Sequence, residues 1–253
     1  MAKAKQLKSA IIYSGPSLID GSPILCVAVF SDRNRKTGKV LHTYIIRADM
    51  DPLRANKTGA DYAICGNCPH RGTPNADPSR KTAENRSCYV VLFQGPLGVY
   101  KGVQRGIYPT ISGHDAIAAL GAGRTVRVGT YGDPAAIPSF IWDSLLSLCN
   151  GHMAYSHQSA IASADFRADI MMQSAETETE ARVAWANGAR TFRVVKSVAD
   201  VVKGAEILCP ASAEAGYRTN CNACKLCGGA SVKAKSIAIP AHGHGAGNFQ
   251  RAA

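Results

Sequence analysis

Short apolar stretches alternate with polar, glycine-rich segments along most of the chain. Near the N-terminus, the stretches at 11–15, 24–30 and 40–50 are rich in β-branched and aromatic residues, which predicts three strands. The polar segment SDRNRKTGK between the second and the third predicts a hairpin loop. Together they predict a β-rich extension over residues 1–60.

From residue 61 to residue 253 the pattern changes to strands that alternate with helices. Such alternation predicts a parallel sheet with helices packed outside it. About six parallel strands suit an α/β fold of the complete or partial (β/α) barrel type. A doubly wound sheet is the alternative, but no GxGxxG motif supports its dinucleotide-binding form. The predicted strands are 88–96, 125–134, 152–158, 168–177, 190–195, 206–212 and 236–243, and the predicted helices are 114–121, 135–150, 177–189 and 198–205.

Nine cysteines stand out in a chain of 253 residues. The odd number, the chain length and an N-terminus without an apolar signal segment all disfavour a secreted disulfide framework. We therefore predict a cytoplasmic protein whose thiolates are committed to metal. Cys26 and Cys149 lie in apolar surroundings, which is typical of buried structural thiols.

The strongest metal signal lies in the cysteine-rich loop 209–229. Three of its cysteines have the spacing C-x2-C-x2-C, which lets a tight turn present neighbouring sulfurs to one centre. Four thiolates satisfy tetrahedral Zn²⁺ or a four-iron cluster, and Gly228 and Gly229 permit close backbone approach. A free-thiol loop is the alternative. The predicted ligands are Cys209, Cys221, Cys224 and Cys227.

A second thiol pair occurs in the segment ICGNCPHRG. Cys65 and Cys68 resemble half of a metal-binding knuckle, which Cys88, His70 or an exogenous ligand would complete. A redox-active C-x2-C pair is one alternative. A single centre shared by both groups of cysteines is another.

Polar residues repeatedly follow the predicted strands, at the end where ligands bind in α/β folds. The turn GTYGDP ends the strand that begins at residue 125, and its glycines allow close backbone approach. Asp133 offers a carboxylate there and also suits the N-cap position before Pro134. The predicted catalytic residues are Asp133, His157 and Glu176, and further polar candidates are Gln158, Arg193, Ser212, Glu214, His242 and His244.

The GTYGDP turn resembles the GGEP-type turn of radical S-adenosylmethionine (SAM) enzymes, which contacts the methionine amino group of SAM. The segment CGNCPHR similarly resembles part of their cluster loop. Those enzymes usually carry C-x3-C-x2-C, whereas Asp61 stands at the position of the first cysteine. The resemblance implies a [4Fe-4S] cluster at Cys65, Cys68 and Cys88, or at the loop 209–229. It also implies SAM bound by Gly129, Thr130, Tyr131, Gly132 and Asp133.

The chain as a whole also resembles proteins of tailed bacteriophages in which motifs of the type CPAS…C-x2-C-x2-C-GG recur. One group of phage radical SAM-like proteins takes part in thymidine hypermodification, which shields viral DNA from restriction enzymes. The resemblance implies an isomerase that acts on an amino-acid adduct of thymidine in phage DNA, within the host cytoplasm. A formal charge of +11 favours a polyanionic partner such as DNA.

Two other functions stay open from the sequence. One is a zinc-stabilised barrel that exchanges a base in DNA, similar to guanine transglycosylases, with Asp133 as the nucleophile. The other is a non-enzymatic, zinc-bearing DNA-binding or replication accessory protein, whose affinity should fall with salt. Thiolates suit both iron and zinc, so spacing does not separate these metals. Because no apolar stretch reaches about 18 residues, no membrane span is expected.

Overall fold

A computed structural model of the chain describes residues 6–34 and 36–252. Residues 1–5, which belong to the predicted cytoplasmic N-terminus, lie outside the described residues. So do residue 35 of the predicted hairpin loop and residue 253 at the end of the predicted barrel-like domain. The described chain is mixed α/β, with ten strands in two five-stranded sheets.

The first sheet joins N-terminal strands to strands from the middle of the chain. Its strands are β1 (Ser9–Pro16), β2 (Pro23–Ser31), β3 (Val40–Arg47), β4 (Thr125–Tyr131) and β5 (His152–Met153), in that spatial order. Strands β1, β2 and β3 are antiparallel neighbours, as the predicted hairpin requires, whereas β3, β4 and β5 are parallel. Because β3 pairs with β4, the β-rich segment 1–60 is continuous with the sheet that follows. The domain boundary at residue 60 stays a prediction.

The second sheet confirms the predicted parallel arrangement. Its strands are β6 (Tyr155–Ser156), β7 (Met172–Ala175), β8 (Thr191–Val195), β9 (Glu206–Leu208) and β10 (Ser236–Pro240). Their spatial order is β6-β7-β8-β10-β9, and every neighbouring pair is parallel. Only Ala154 separates β5 from β6, and its carbonyl accepts a hydrogen bond from Met172 N at 3.0 Å. The pairings of the described strands do not join β9 to β1, so a complete barrel is not shown.

Helices cover the outer side of the parallel strands. Asp51 caps the first helix through two backbone amides, and Thr177 caps the sixth, which carries acids in its first turn. The fourth and fifth helices pack against the core through the buried side chains of Ile117, Leu120 and Trp142. The helices are α1 (Pro52–Thr58), α2 (Tyr62–Cys65), α3 (Gly95–Gln104), α4 (His114–Gly121), α5 (Ser139–Leu146), α6 (Glu178–Ala186), α7 (Cys221–Cys224) and α8 (Ala246–Ala252).

The two ends of β4 have different neighbours. Val126 and Val128, in the first part of the strand, are fully buried in the hydrophobic core. The last three residues, from Gly129 to Tyr131, line an open cleft, and Tyr131 also packs in the core. The strand therefore leads from the core to the cleft.

Several predicted elements are wrong or have different bounds. The strand predicted at 88–96 is absent, because Leu92–Gln94 turn and α3 begins at Gly95 with Pro96 in its first turn, a position where proline is tolerated. The helix predicted at 198–205 is a single 3-10 turn, Val198–Asp200, and Gly204 beyond it has a φ of 91°. The predicted strands 40–50, 168–177 and 206–212 are shorter in the structure, as is the predicted helix 135–150.

Candidate metal-binding site

The cleft lies at the C-terminal ends of the parallel strands, where ligands were expected. Its empty volume, including the part open to solvent, is about 1090 Å³. Polar and thiol side chains from strand ends and from the segment 56–92 meet there. Predicted site residues that line it are Cys65, Cys68, Cys88, Gly129, Thr130, Tyr131, Gly132, Asp133, His157 and Glu176.

Asp133 joins three segments around the cleft. Its Oδ2 accepts hydrogen bonds from His157 N at 2.8 Å and Gln158 Nε2 at 2.9 Å. Its Oδ1 accepts one from Ala135 N at 3.0 Å, so it caps the 3-10 turn Pro134–Ala136. The predicted capping role is thus confirmed. Both carboxylate oxygens are engaged within the protein, which favours a positioning role over a chemical one.

The glycines of the GTYGDP turn are required by its backbone. Gly129 and Gly132 have φ values of 68° and 79°, in the left-handed region that favours glycine. A Cβ at Gly132 would lie 2.7 Å from Cβ of Ile45 and 2.8 Å from its carbonyl oxygen. The side chain of Thr130 bonds His42 Nδ1 at 3.0 Å. The turn therefore has one tightly packed conformation.

The loop that carries Cys65 and Cys68 is fixed by Gln158, which is fully buried. Gln158 Nε2 donates to the Cys65 carbonyl at 2.8 Å, and its Oε1 accepts from Asn67 N at 3.0 Å. A Cβ at Gly66 would lie 2.2 Å from this Oε1, so the glycine makes room for the amide. The cysteine loop and the strand ends therefore form one unit.

Cys65, Cys68 and Cys88 form what we call the first cysteine group. Cys65 interacts electrostatically with both other thiols, and Cys88 with Cys68. The amide of Cys88 donates to the His70 carbonyl at 2.9 Å, which holds residue 88 beside the loop. Burial raises the pKa values of Cys65 and Cys88, and a metal that binds them would have to displace their protons. The structure thus brings the third predicted thiol to the other two.

Asp61 stands where the resemblance would place a cysteine. Its carboxylate is engaged in hydrogen bonds with neighbouring side chains. Only 2% exposed, it accepts hydrogen bonds from Asn56 Nδ2 at 2.7 Å and from Arg71 Nη2 at 2.5 Å. Burial raises its pKa, although Asn56 and Arg71 oppose that shift. Its electrostatic effect on Cys65 places it beside this thiol. Asp61 therefore stabilises the loop through its hydrogen bonds with Asn56 and Arg71.

His70, His157 and Glu176 form a compact cluster next to the first cysteine group. Glu176 Oε1 lies 2.9 Å from His157 Nε2, and Oε2 lies 3.3 Å from His70 Nε2. Ligand atoms of all three lie within 4.8 Å of one another, so they could also hold a single ion. Burial alone would lower the pKa of His157, but Cys68 and Glu176 outweigh it and raise that pKa well above 6.5. The two histidines lower the pKa of Glu176 to about 2 despite its burial.

One hydroxyl in the cleft has no partner. Tyr131 Oη is buried without a hydrogen bond, and burial raises the pKa of this phenol well above its usual value. Cys65, Asp61 and Cys88 add to that shift, and all three line the same cleft as Tyr131. Because buried hydroxyls normally have partners, this position is suited to a ligand or a water.

Cys209, Cys221, Cys224 and Cys227 form the second cysteine group. Each interacts electrostatically with others of the group, so the structure brings together the four thiols that the sequence singled out. Backbone bonds from Cys209 N to Ala238 O and from Ala154 N to the Cys227 carbonyl attach the group to the second sheet and to the segment between the sheets. A Cβ at Gly229 would lie 2.6 Å from Asp169 O, which confirms the close approach expected of this glycine.

Other polar candidates lie elsewhere or play structural parts. Arg193 is buried in an ion pair with Glu206 at 2.8 Å, on the face of β8 that points away from the cleft. Ser212 is buried and accepts from Ala215 N, and Glu214 lines a different surface pocket. His242 does line the cleft, where it stacks on Tyr89. Cys26 is fully buried, as predicted, whereas Cys149 is only partly buried, so the prediction for that residue is wrong.

Sequence reasoning missed Tyr89, which interacts electrostatically with Cys88 and Cys221, and also Arg127 and Tyr155, which both interact with Cys221 and Cys227. Arg127 donates a hydrogen bond to Tyr89 Oη and interacts electrostatically with Tyr155. The alternation along β4 would have indicated Arg127, because it lies two residues before the cleft-lining Gly129. Tyr155 similarly precedes His157 by two residues.

No family model, curated protein or solved structure matches the chain. Within the described part of the chain, every helix is too short or too polar to cross a membrane.

Proposed function

We propose that the protein is an iron–sulfur enzyme of the radical SAM type, whose cluster is held by Cys65, Cys68 and Cys88. The observation that carries this proposal is that the three thiols and the turn 129–133 line one cleft. Three thiolates on a four-iron cluster leave one iron without a protein ligand. The unpartnered hydroxyl of Tyr131, which lines the same cleft, would form a hydrogen bond with a group bound there.

When bound, the cluster and SAM would supply one-electron chemistry that removes a hydrogen atom from the substrate. The turn would orient SAM through backbone groups, because Gly129 and Gly132 line the cleft. Asp133 holds this turn against the strand end that carries His157. His157, hydrogen-bonded to Cys68 and Glu176, places positive charge beside the thiolate and would stabilise it.

The substrate that we propose is a hypermodified thymidine in phage DNA, which the enzyme would isomerise. The support for DNA is the formal charge of +11, which favours a polyanionic partner. The choice of an isomerisation that protects phage DNA from restriction rests on the resemblance of the sequence alone.

A second candidate is a single-ion enzyme, favoured by one specific observation. His70, His157 and Glu176 present two imidazoles and a carboxylate within 4.8 Å, a ligand set common to catalytic zinc and non-haem iron. His70 Nδ1 bonds Ser87 Oγ at 2.8 Å, which would orient the ring for binding through Nε2. In this candidate, zinc or iron would bind without inorganic sulfide.

Anaerobic purification followed by metal and sulfide analysis separates the two candidates. We expect a brown protein with iron and acid-labile sulfide that, after reduction with dithionite, cleaves SAM to methionine and 5′-deoxyadenosine. Cys68→Ser should lose the cleavage, whereas Cys149→Ser should keep it. A colourless protein that holds one zinc ion and leaves SAM intact would overturn the proposal.

The substrate requires its own experiment. Phage DNA that carries modified thymidine would be incubated with reconstituted protein, SAM and dithionite, then digested to nucleosides and separated by chromatography with mass detection. We expect a nucleoside of unchanged mass and altered retention. Unmodified thymidine DNA is the control, and identical chromatograms with and without active protein would contradict the assignment of DNA.

A further inference from the structure

The second cysteine group converges from three separate places in the fold. Cys209 follows β9, Cys221 and Cys224 begin and end α7, and Cys227 lies in the loop after it. The α7 end of the loop is fixed by bonds from Cys221 N to Lys36 O at 3.0 Å and from Asn222 N to Thr37 O at 2.9 Å. This docking holds α7 so that Cys221 and Cys224 interact electrostatically with Cys209.

Basic side chains surround the second cysteine group. Lys36 interacts electrostatically with Cys209 and Cys221, and Arg127 with Cys221 and Cys227. Arg190 shapes the loop by donating to the carbonyls of Leu226 at 2.8 Å and Gly229 at 2.9 Å. Four neutral thiols do not need three cations, whereas a centre with four thiolates carries net negative charge that these cations would balance.

Two of these cations have unpartnered nitrogens. Arg190 is 8% exposed, interacts with Cys227, and has no hydrogen-bond partner for its buried Nε. The Nε of Arg127 is likewise buried and without a partner. Buried guanidinium N–H groups normally have acceptors, so an acceptor is expected beside the sulfurs. The bridging sulfides of an iron–sulfur cluster are acceptors of this kind.

The distances between the four sulfurs of the second cysteine group distinguish a single zinc ion from a four-iron cluster. A tetrahedral zinc ion with Zn–S bonds of about 2.3 Å requires sulfurs roughly 3.8 Å apart. Among the described residues, three ligand atoms within 4.8 Å of one another are found at His70, His157 and Glu176, and not among these four sulfurs. A four-iron cluster holds its thiolates farther apart, because each binds a different iron.

We propose that Cys209, Cys221, Cys224 and Cys227 hold a second metal centre, a four-iron cluster in which every iron has a thiolate ligand. It is distinct from the cluster assigned to the first cysteine group. Tyr89 lies between the two, since it interacts electrostatically with Cys88 and with Cys221. Tyr155 donates a hydrogen bond to the Cys227 sulfur and is a positioning residue for this centre.

The test counts iron and sulfide in the anaerobically reconstituted full-length chain. The wild-type protein should hold about eight irons and about eight sulfides, four of each in either cluster. Cys221→Ser/Cys224→Ser should lose about half of both, Cys65→Ser/Cys68→Ser should lose the other half, and Cys149→Ser should lose none. Because each double variant empties one site, failure of this proposal is distinguished from failure of the proposed function.

Two measurements need no cysteine replacement and so guard against variants that do not fold. Mössbauer spectra of ⁵⁷Fe-labelled wild-type protein should show two [4Fe-4S] species. Tyr155→Phe should keep all the iron but shift the reduction potential of one species, because a hydrogen bond to a ligating sulfur is lost. A single four-iron species that survives in Cys221→Ser/Cys224→Ser, or one zinc ion per chain that only this double variant removes, would overturn the proposal.

Discussion

The two cysteine groups differ in completeness and in surroundings. The first has three thiols at the wall of an open cleft, next to two histidines and a carboxylate. The second has four thiols, surrounded by Lys36, Arg127 and Arg190. A centre with an unfilled ligand position can bind a substrate or cofactor, whereas one with all positions filled by protein has none to offer. This difference is the reason why our proposal places the chemistry at the first group and a supporting role at the second.

Replacing a ligand in each group gives the largest expected difference. Cys68→Ser should reduce SAM cleavage by about a thousandfold or more, which corresponds to about 4 kcal/mol in the activation free energy. Cys224→Ser should leave a substantial fraction of the cleavage, because its cluster does not contact SAM in our assignment. Product formation per folded chain, measured by chromatography, checks both. Equal losses in the two variants would remove the distinction between the groups.

Local signals in the sequence predicted some of these features and not others. The bounds of α4 coincide with the predicted 114–121, and Asp133 caps the turn before Pro134, because both depend on neighbouring residues. The α3 helix was missed because an apolar run followed by Gly95 and Pro96 reads equally well as a buried strand. Contacts such as Tyr155 with Cys227 join residues 72 positions apart, and only the folded sheet brings them together.

The GTYGDP turn should tolerate substitution less well than a glycine at a helix end. Gly132→Ala would force an unfavourable φ and a clash with the backbone of Ile45, so we expect a loss of about 3 kcal/mol or more in the free energy of unfolding. Gly188 has a φ of 77° but open space around it, and Gly188→Ala should cost about 1 kcal/mol. Denaturant titration measures both values. Similar losses would show that the packing against Ile45 contributes little.

The buried side chain of His42 makes the free energy of unfolding depend on pH below neutrality. Burial, assisted by Arg127, lowers the pKa of His42 from 6.5 to about 4. The unfolded chain therefore takes up a proton that the folded chain does not, and stability falls as the pH drops from 6.5 toward 4. The contribution amounts to about 3 kcal/mol at pH 4.

His42→Asn should reduce that loss, because its side chain does not titrate. Denaturant titrations of wild type and variant at pH 7 and at pH 4.5 give the difference. His114→Asn, at an exposed position, is the control and should follow the wild type. If His42→Asn lost as much stability as the wild type between pH 7 and pH 4.5, the loss could not be assigned to this histidine.

The smallest expected effect is that of replacing Glu176. This replacement distinguishes the two candidate metal sites within the cleft. If the first cysteine group holds the cluster, Glu176 orients His157 beside Cys68 without binding metal. Glu176→Gln should then keep iron and sulfide but lower SAM cleavage by about 10- to 100-fold, as the loss of a residue that orients a metal site does.

Glu178→Gln is the matched control, since Glu178 is two residues away in a surface ion pair with Arg182. It should change neither metal content nor cleavage. If His70, His157 and Glu176 instead ligate one ion, Glu176→Gln should release that ion, because the carboxylate is one of three protein ligands. Metal analysis of this one variant therefore decides whether the carboxylate acts through a neighbouring thiolate or on a metal directly.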